Sequence, residues 1–308
     1  MPMLLSPPFG AAPTAYWRLY FLGAEQGVVS ISELKMSVLP GGADIVAGAT
    51  SITANYNPGG SQAPGAIRDG STGTTSYWYS NTALGAWLQF QFASPVSDIG
   101  EIIMTARNDS LWCRQAPTAF LIQKSYDSGS TWTTVSIVRG IGTWTQTLQR
   151  TLTPASFTPG TGKASAIAWL IDVTATQGTT TAVSLAEMAF ATSAGGANLC
   201  TGGGPFHNMD GYVSGAFPPY KAFDGTLTGD SNTYISAGSV LGKFGYIFGT
   251  NPSVPTHLRL TARAQFFTGD SPANFTIKYT CDGLTYTTTD TITGQSFSLG
   301  ETKTYSIT

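Results

Sequence analysis

The sequence predicts an all-β chain made of two tandem antiparallel β-sandwiches. Short runs rich in β-branched and aromatic residues recur along it, each bounded by Gly, Pro, Ser or Asp. No long stretch carries the 3.6-residue period of an amphipathic helix. An ordered set of landmarks also occurs twice, which indicates an internal duplication.

The individual strands follow from residue alternation. In AWLQFQF (residues 86–92), large apolar side chains at 88, 90 and 92 alternate with tryptophan and glutamine, which is typical of a strand with one buried face. Further strands are predicted at FLIQKS (120–125), WTTVSIV (132–138), NFTIKYT (274–280) and TYTTTDTI (285–292). Four tryptophans in such patterns are expected in the cores: Trp17, Trp87, Trp132 and Trp169.

The duplication sets the domain boundaries. Matching landmarks lie about 155 residues apart and keep the same order. The pairs are Trp17 and Trp169, Glu33 and Glu187, Asp69 and Asp224, Arg107 and Arg263, Phe120 and Phe275, and Trp132 and Tyr286. We therefore expect an N-terminal arm or anchor at residues 1–13, one sandwich at 14–153, a Pro-, Gly- and Ser-rich linker at 154–165, and a second sandwich at 166–308.

Composition excludes several classes of partner. Charged residues make up 10 % of the 308 residues and the net charge is −2, with no basic run, so neither nucleic acid nor an anionic membrane surface is an expected partner. No segment approaches the roughly 20 apolar residues of a membrane span. The opening residues lack the basic region of a signal peptide, and three cysteines without metal-like spacing suggest free thiols in a reducing cytoplasm.

The residues give little support to catalysis. The two histidines, His207 and His257, have no counterparts in the first repeat and belong to no metal motif. The chain carries no nucleophile elbow, zinc-protease motif or phosphate-binding loop. We expect a protein that is not an enzyme.

A set of motifs in fixed order resembles the discoidin family, also called F5/8 type C, and the related galactose-binding carbohydrate modules. They are AIRDG (66–70) and AFDG (222–225), WLQFQFASPVSDIGEI (87–102) and FGYIFGTNPSVPTHLRL (244–260), and APTAFLIQKSYDSGSTWTTV (116–135) with SPANFTIKYTCDGLTYTTT (271–289). The last pair is YWRL (16–19) with SEL (32–34), and AWLI (168–171) with AEM (186–188). The resemblance spans nearly the whole chain twice, and it implies galactose-binding-like jelly rolls.

The order of the motifs departs from the family in one respect. The Tyr-Trp-Arg and Ala-Glu segment closes the family's domain, whereas here it opens each repeat. A circular permutation of self-contained units explains this order, because chain termini that lie close together make permutation cheap. The alternative is that residues 166–190 complete the first unit.

The resemblance also implies a structural Ca²⁺ in each unit, held by an Asp-Gly turn and the glutamate of the closing strand. Oxygen ligands of these types suit Ca²⁺. The implied ligands are Glu33, Asp69, Ser71 and Thr74 in the first unit, and Glu187, Asp224, Thr226 and Asp230 in the second. The alternatives are a monovalent ion, a water molecule, or a plain turn whose N–H groups bond the glutamate.

Two loops are the candidate ligand-binding surfaces. RNDSLWCRQ (107–115) places a tryptophan between two arginines, and RAQFFTGDS (263–271) places two phenylalanines at the corresponding position. Aromatic rings in loops between strands are better binding candidates than aromatics in strand alternation. The candidates are Arg107, Asn108, Trp112, Arg114, Arg263, Phe266 and Phe267. The alternative is that these rings plug the ends of the sandwiches.

The sequence motifs YWRLYFLG, ISEL and GGAD (residues 16–44) are similar to those of modules in tailed-bacteriophage tail proteins. Together with the uncharged, Gly- and Thr-rich composition, this similarity implies a virion protein made in the host cytoplasm. Such a tail-fibre, tail-tip or decoration protein attaches to host surface glycans or to other virion proteins, and we expect a homo-oligomer with a trimer as first candidate. The alternatives are a bacterial carbohydrate-binding protein and a purely structural assembly protein.

Overall fold

The fold is all-β and antiparallel, as the sequence predicts. A computed structural model describes residues 14–178, 182–208, 217–227, 233–236, 241–265 and 268–308. The predicted arm at residues 1–13 lies outside these ranges. The helices of the described residues are single turns of three to five residues, and none has the length and hydropathy to cross a membrane.

Eleven strands lie in residues 14–156, called here the N-terminal half. They are β1 (Thr14–Ala24), β2 (Ser30–Ile31), β3 (Glu33–Ser37), β4 (Ala49–Ala54), β5 (Trp78–Tyr79), β6 (Trp87–Val96), β7 (Glu101–Thr105), β8 (Pro117–Ser125), β9 (Thr133–Arg139), β10 (Gln149–Leu152) and β11 (Ala155–Ser156). Short helices cover Val46–Gly48, Gly60–Gln62, Pro64–Arg68 and Cys113–Gln115. The strands form a large sheet in the order β11-β9-β8-β1-β6-β4, a small sheet β10-β7-β3, and the pair β2-β5.

Ten strands lie in the described part of residues 166–308, the C-terminal half. They are β12 (Ala168–Thr176), β13 (Ser184–Leu185), β14 (Glu187–Ala191), β15 (Gly204–His207), β16 (Tyr234–Ile235), β17 (Lys243–Ile247), β18 (His257–Thr261), β19 (Pro272–Thr280), β20 (Thr287–Ile292) and β21 (Thr302–Ser306). A short helix covers Pro219–Phe223. The sheet orders β15-β17-β12-β19-β20, β14-β18-β21 and β13-β16 reproduce those of the N-terminal half, strand for strand, apart from β11.

Each opening segment pairs with strands of its own half. β1 lies between β6 and β8, and β3 pairs with β7. In the same way β12 lies between β17 and β19, and β14 pairs with β18. The predicted linker carries some regular structure, since β11 pairs with β9 and a single helical turn covers Lys163–Ser165.

Each half has an apolar core between its large and small sheets. In the N-terminal half, Trp17 and Phe90 of the large sheet pack in one cluster with Leu34 and Met104 of the small sheet. Trp169 and Met188 share the corresponding cluster of the C-terminal half. This sandwich-like packing explains the alternation in β6, whose residues 88, 90 and 92 are buried while 87, 89 and 91 remain half-exposed.

Two of the four tryptophans predicted for the cores lie elsewhere. Trp87 stands on the outward face of β6, and Trp132 lies in the turn just before β9. Both rings contact the Arg18 guanidinium, with centroid distances of 5.9 and 4.4 Å. The alternation of β6 accounts for this correction, because Leu88 takes the inward position next to Trp87.

A third apolar cluster joins the outer faces of the two large sheets. Leu22 and Leu121 of the N-terminal half meet Leu170, Phe206 and Ile247 of the C-terminal half, and all of them are buried. We call these residues the junction. Polar contacts support it: the Leu84 N–H donates to the His207 carbonyl at 3.0 Å, and the Arg139 side chain donates to Asn251 at 2.7 Å.

A glycine allows the closest approach at this junction. A Cβ at Gly23 in β1 would lie 2.1 Å from the carbonyl oxygen of Pro205 in β15, a distance that no side chain tolerates. The two backbones can therefore touch there only because Gly23 has no side chain.

Candidate functional site

A pocket of about 350 Å³ opens in the N-terminal half beside β5 and the predicted binding loop. We call it the aromatic pocket. Its walls combine aromatic rings with amide and guanidinium groups, from Val28, Gln62, Tyr77, Tyr79, Ser80, Asn81, Arg107, Trp112 and Gln115.

The short pair β2-β5 positions the tyrosines. Trp78 pairs with Ile31, is fully buried, and donates its indole N–H to the Tyr56 carbonyl at 3.0 Å. Because neighbouring residues of a strand point to opposite faces, Tyr77 and Tyr79 turn away from the core. Ser80 fixes the edge of β5 by accepting a hydrogen bond from the Val29 N–H at 2.9 Å.

Arg107 forms the polar wall of the pocket. Its guanidinium lies 3.7 Å from the Tyr77 ring centroid and donates to Gln115 Oε1 at 3.0 Å. Asp109 lies 3.6 Å away, and burial lowers the pKa of Arg107, which nevertheless stays charged at neutral pH. Across the pocket, Gln62 donates to the Tyr77 hydroxyl at 2.8 Å.

This combination of groups suits a ligand with both hydroxyl groups and an apolar face. Aromatic rings offer flat surfaces that need little ordering on binding, and amides both donate and accept hydrogen bonds. The guanidinium is already held by Tyr77, Gln115 and Asp109, so it is oriented before a ligand arrives. Preorganisation of this kind lowers the entropic cost of binding.

The structure brings together two of the four predicted ligand residues of this half, Arg107 and Trp112. Asn108 lies outside the pocket and accepts a hydrogen bond from Gln146 at 2.7 Å. Arg114 instead reaches the boundary between the halves, where it lies 3.4 Å from Glu25 and 4.2 Å from the Tyr220 ring centroid.

The corresponding region of the C-terminal half has different chemistry. Thr233 and Ile235 stand where the N-terminal half has Tyr77 and Tyr79, and both are buried. Arg263, the counterpart of Arg107, forms a buried ion pair with Asp270 at 3.2 Å. The predicted Phe266 and Phe267 lie outside the described residues.

Sequence reasoning left Tyr77 and Tyr79 unassigned and did not select Gln62 or Gln115. The signal for the tyrosines lies in the triplet Tyr77-Trp78-Tyr79, whose alternation around a buried tryptophan predicts two rings on the outer side. The two glutamines reach the pocket from separate short helices, and no local sequence pattern indicates that these helices lie close together.

The predicted Glu33 and Asp69 lie side by side in the N-terminal half. Asp69 accepts hydrogen bonds from the Ser71 N–H at 2.8 Å and from the Ser76 hydroxyl, and Gly70 turns the chain with φ of 76°. Glu33 is buried at the start of β3, and its Oε1 has no hydrogen-bond partner among the described residues. Thr74 is exposed on the turn.

The two carboxyl groups strongly influence each other. Burial, followed by the adjacent Asp69 carboxylate, raises the pKa of Glu33 to about 7. Burial also acts to raise the pKa of Asp69, but hydrogen bonds from Ser76, Ser71 and Glu33 hold it below its usual value. The pair therefore retains a proton well above the range in which carboxylic acids usually ionise.

These residues fit a cation in the N-terminal half. Within the described residues, Glu33 and Asp69 form no salt bridge with a lysine or arginine. A cation would supply the positive charge that the buried Glu33 and the exposed Asp69 beside it lack, and Ser71, Ser76 and nearby carbonyls add oxygen atoms. No cluster of three or more His, Cys, Asp or Glu side chains with metal-binding geometry occurs among the described residues.

The equivalent residues of the C-terminal half do not fit a Ca²⁺ ion. The Lys221 ammonium lies 3.9 Å from Asp224, where it competes with any cation. The backbone contacts are the same in both halves: the Gly225 N–H donates to Glu187 Oε2 at 3.2 Å and the Thr226 N–H to Asp224 at 2.9 Å, as Gly70 and Ser71 do for Glu33 and Asp69. The lysine is therefore the difference between the two sites. Burial raises the pKa of Glu187 to about 8. The predicted Asp230 lies outside the described residues.

Comparison of the chain with protein-family models, with curated proteins and with solved structures finds no match.

Proposed function

We propose that the chain is a non-enzymatic attachment protein that binds glycans in the aromatic pocket of its N-terminal half. The observation that carries this proposal is the meeting of Tyr79, Trp112 and Arg107 around a pocket of about 350 Å³. That volume falls at the small end of ligand pockets and suits one or two sugar units. Ring faces would pack on the sugar, while Gln62, Gln115 and Arg107 would bond its hydroxyls.

A glycan array tests this function. Trp112→Ala and Tyr79→Ala should each abolish most of the binding, because each removes an aromatic wall. The matched controls are Trp132→Ala and Tyr126→Ala, which remove half-exposed or exposed rings away from the pocket and should leave binding intact. Equal loss in the controls, or unchanged binding by Trp112→Ala with its fold intact, would contradict the proposal.

A single Ca²⁺ ion in the N-terminal half is part of the proposal. Glu33, Asp69, Ser71 and Ser76 would hold it, and it would neutralise the two neighbouring carboxylates and fix the Asp69-Gly70 turn. Elemental analysis after exhaustive dialysis should find one Ca²⁺ per chain in the wild type and none in Glu33→Gln. A wild-type melting temperature that EDTA leaves unchanged would refute the ion.

The proposed setting is the virion of a tailed bacteriophage, as a tail-fibre, tail-tip or decoration protein attached to other virion proteins. The resemblance of the opening motif and the weakly charged, Gly- and Thr-rich composition support it. Mass spectrometry of purified particles should detect the chain, and light scattering should find a homo-oligomer, with a trimer as first candidate. If purified particles lack the chain, the proposal of a virion protein is wrong, whereas the proposal of glycan binding is unaffected.

A further inference from the structure

A second pocket of about 350 Å³ opens on the small sheet of the C-terminal half. We call it the Arg259 pocket. It is lined by Glu187, Ala189, Asn198, Gly225, Leu227, Arg259, Thr261 and Thr302. Its residues come from β14, β18 and β21 and from the loops beside them, so it is separate from the aromatic pocket.

Arg259 brings to this pocket a cation that forms no salt bridge among the described residues, although the Glu187 carboxyl group in the same pocket interacts with it electrostatically. The salt bridges of the described residues involve other arginines and lysines, and Arg259 takes part in none of them. Its side chain donates no hydrogen bond to another described residue. A half-buried guanidinium with its donors unused is costly unless a ligand or water accepts from it.

The remaining walls supply hydrogen-bonding groups and an apolar patch. The Thr261 and Thr302 hydroxyls lie 2.8 Å apart at the pocket wall, and Asn198 adds an amide. Leu227 and Ala189 add apolar surface. Glu187 accepts a hydrogen bond from the Gly225 N–H at 3.2 Å and forms no salt bridge with Arg259, so it leaves the donors of the guanidinium available.

The N-terminal half places different residues at the equivalent positions. Strand pairing puts Ile103 where the C-terminal half has Arg259, Lys35 where it has Ala189, and Gln149 where it has Thr302. The cation of the N-terminal half is thus an exposed lysine on the neighbouring strand, which cannot form the two parallel hydrogen bonds of a guanidinium. The Arg259 pocket is therefore particular to one half.

We propose that the Arg259 pocket binds a carboxylate-bearing sugar unit, such as a uronic acid, independently of the aromatic pocket. The guanidinium fork matches a carboxylate through two parallel hydrogen bonds. Thr261, Thr302 and Asn198 would bond the ring hydroxyls, and Leu227 would cover the apolar face of the ring. The volume of about 350 Å³ suits one or two sugar units, as in the aromatic pocket.

The test is a titration of the full chain with D-glucuronate and with D-glucose, followed by NMR. Glucuronate should shift signals of β14 and β18, and glucose should bind at least about tenfold more weakly, since it lacks the charged partner of Arg259. Arg259→Gln should weaken glucuronate binding about tenfold or more. The charge-matched control is Lys303→Gln, whose ammonium lies 4.0 Å from Glu301 and 5.1 Å from the Phe297 ring, outside the pocket.

Several results would overturn the proposal. They are equal affinity for glucose and glucuronate, equal loss in Lys303→Gln, or no glucuronate binding by the wild type. If Arg259→Gln unfolds, Asn198→Ala and Thr302→Val provide the same comparison from other walls of the pocket. Trp112→Ala should leave glucuronate binding unchanged, because Trp112 lines the other pocket. Loss of glucuronate binding in Arg259→Gln and loss of glycan-array binding in Trp112→Ala therefore test the two pockets separately.

Discussion

Glu33 shows how one buried carboxyl group links stability to pH. Its pKa is about 7 in the folded chain and near 4.5 in the unfolded chain, so the folded state binds more protons between these values. Its contribution to stability is fully present below about pH 4.5 and is lost as the pH rises through 7. Without added metal, we expect the melting temperature of the wild type to fall over this interval.

Glu33→Gln provides the comparison. Glutamine stays neutral, so the variant should lose this part of the pH dependence and should melt higher than the wild type at pH 8 in EDTA. Added Ca²⁺ should raise the wild-type melting temperature most at pH 8, where both carboxylates are ionised, and should not affect the variant. Parallel pH profiles for the two proteins would show that Glu33 does not titrate as described.

The repeated glutamates could be selected from the sequence as candidate site residues, because a charge in an apolar strand is costly unless another group pairs with it. Arg107 and Trp112 were selected because a tryptophan between arginines is unusual in a loop, and both line the aromatic pocket. The sequence did not distinguish Arg107 from Arg114, which serves the boundary with the other half. Nor did it find Arg259, because an arginine at an outward strand position resembles any surface residue in the sequence.

The turn before β20 is organised around one carboxylate. Asp282 accepts from the N–H groups of Leu284 and Thr285 at 2.8 and 2.7 Å, and from the Thr285 and Thr280 hydroxyls at 2.8 and 3.1 Å. Asp282→Ala removes these bonds together. We expect it to lower the free energy of unfolding by about 1–2 kcal/mol in a urea titration, with an unchanged slope.

Asp282→Asn is the matched control. Asparagine keeps one oxygen for the two N–H groups, so it should lose less stability than alanine. If both variants matched the wild type, the turn would be held by its backbone and by Gly283, which has φ of 75°.

The strands were easier to predict from the sequence than the residues at which they begin and end. The alternation of β6 and β8 follows from side chains facing a core and can be read locally. The segment that contains the SEL motif divides at Ser32 into β2 and β3, which join different sheets. The Ser32 N–H bonds the Thr105 carbonyl at 3.0 Å, a long-range contact that no local pattern reports. β11, within the predicted linker, depends on β9 in the same way.

The two halves share a buried apolar layer, so their stabilities should be coupled. Leu22 is fully buried and belongs to the junction, not to the core of its own half. Leu22→Ala should cost about 2–5 kcal/mol, by loss of burial and creation of a cavity between the large sheets. Calorimetry should show one cooperative transition for the wild type and two separated transitions for the variant.

Leu39→Ala is the control, because Leu39 is 69 % exposed and should leave the single transition in place. Two transitions already present in the wild type would mean that the junction contributes little coupling. The sequence predicts two repeats but not the junction between them. Leu22 and Leu121 alternate like ordinary strand residues, and the residues that they contact lie in the other half.

The junction also bears on what each half could do alone. In an isolated half, the side chains of Leu22 and Leu121, or of Leu170 and Phe206, would lie exposed on the outer face of the large sheet. An exposed apolar patch of this kind promotes association, so deletion of either half should make the other aggregate. The residues that line the two pockets lie outside the junction, so substitutions in a pocket can change its chemistry and leave the contact between the halves in place.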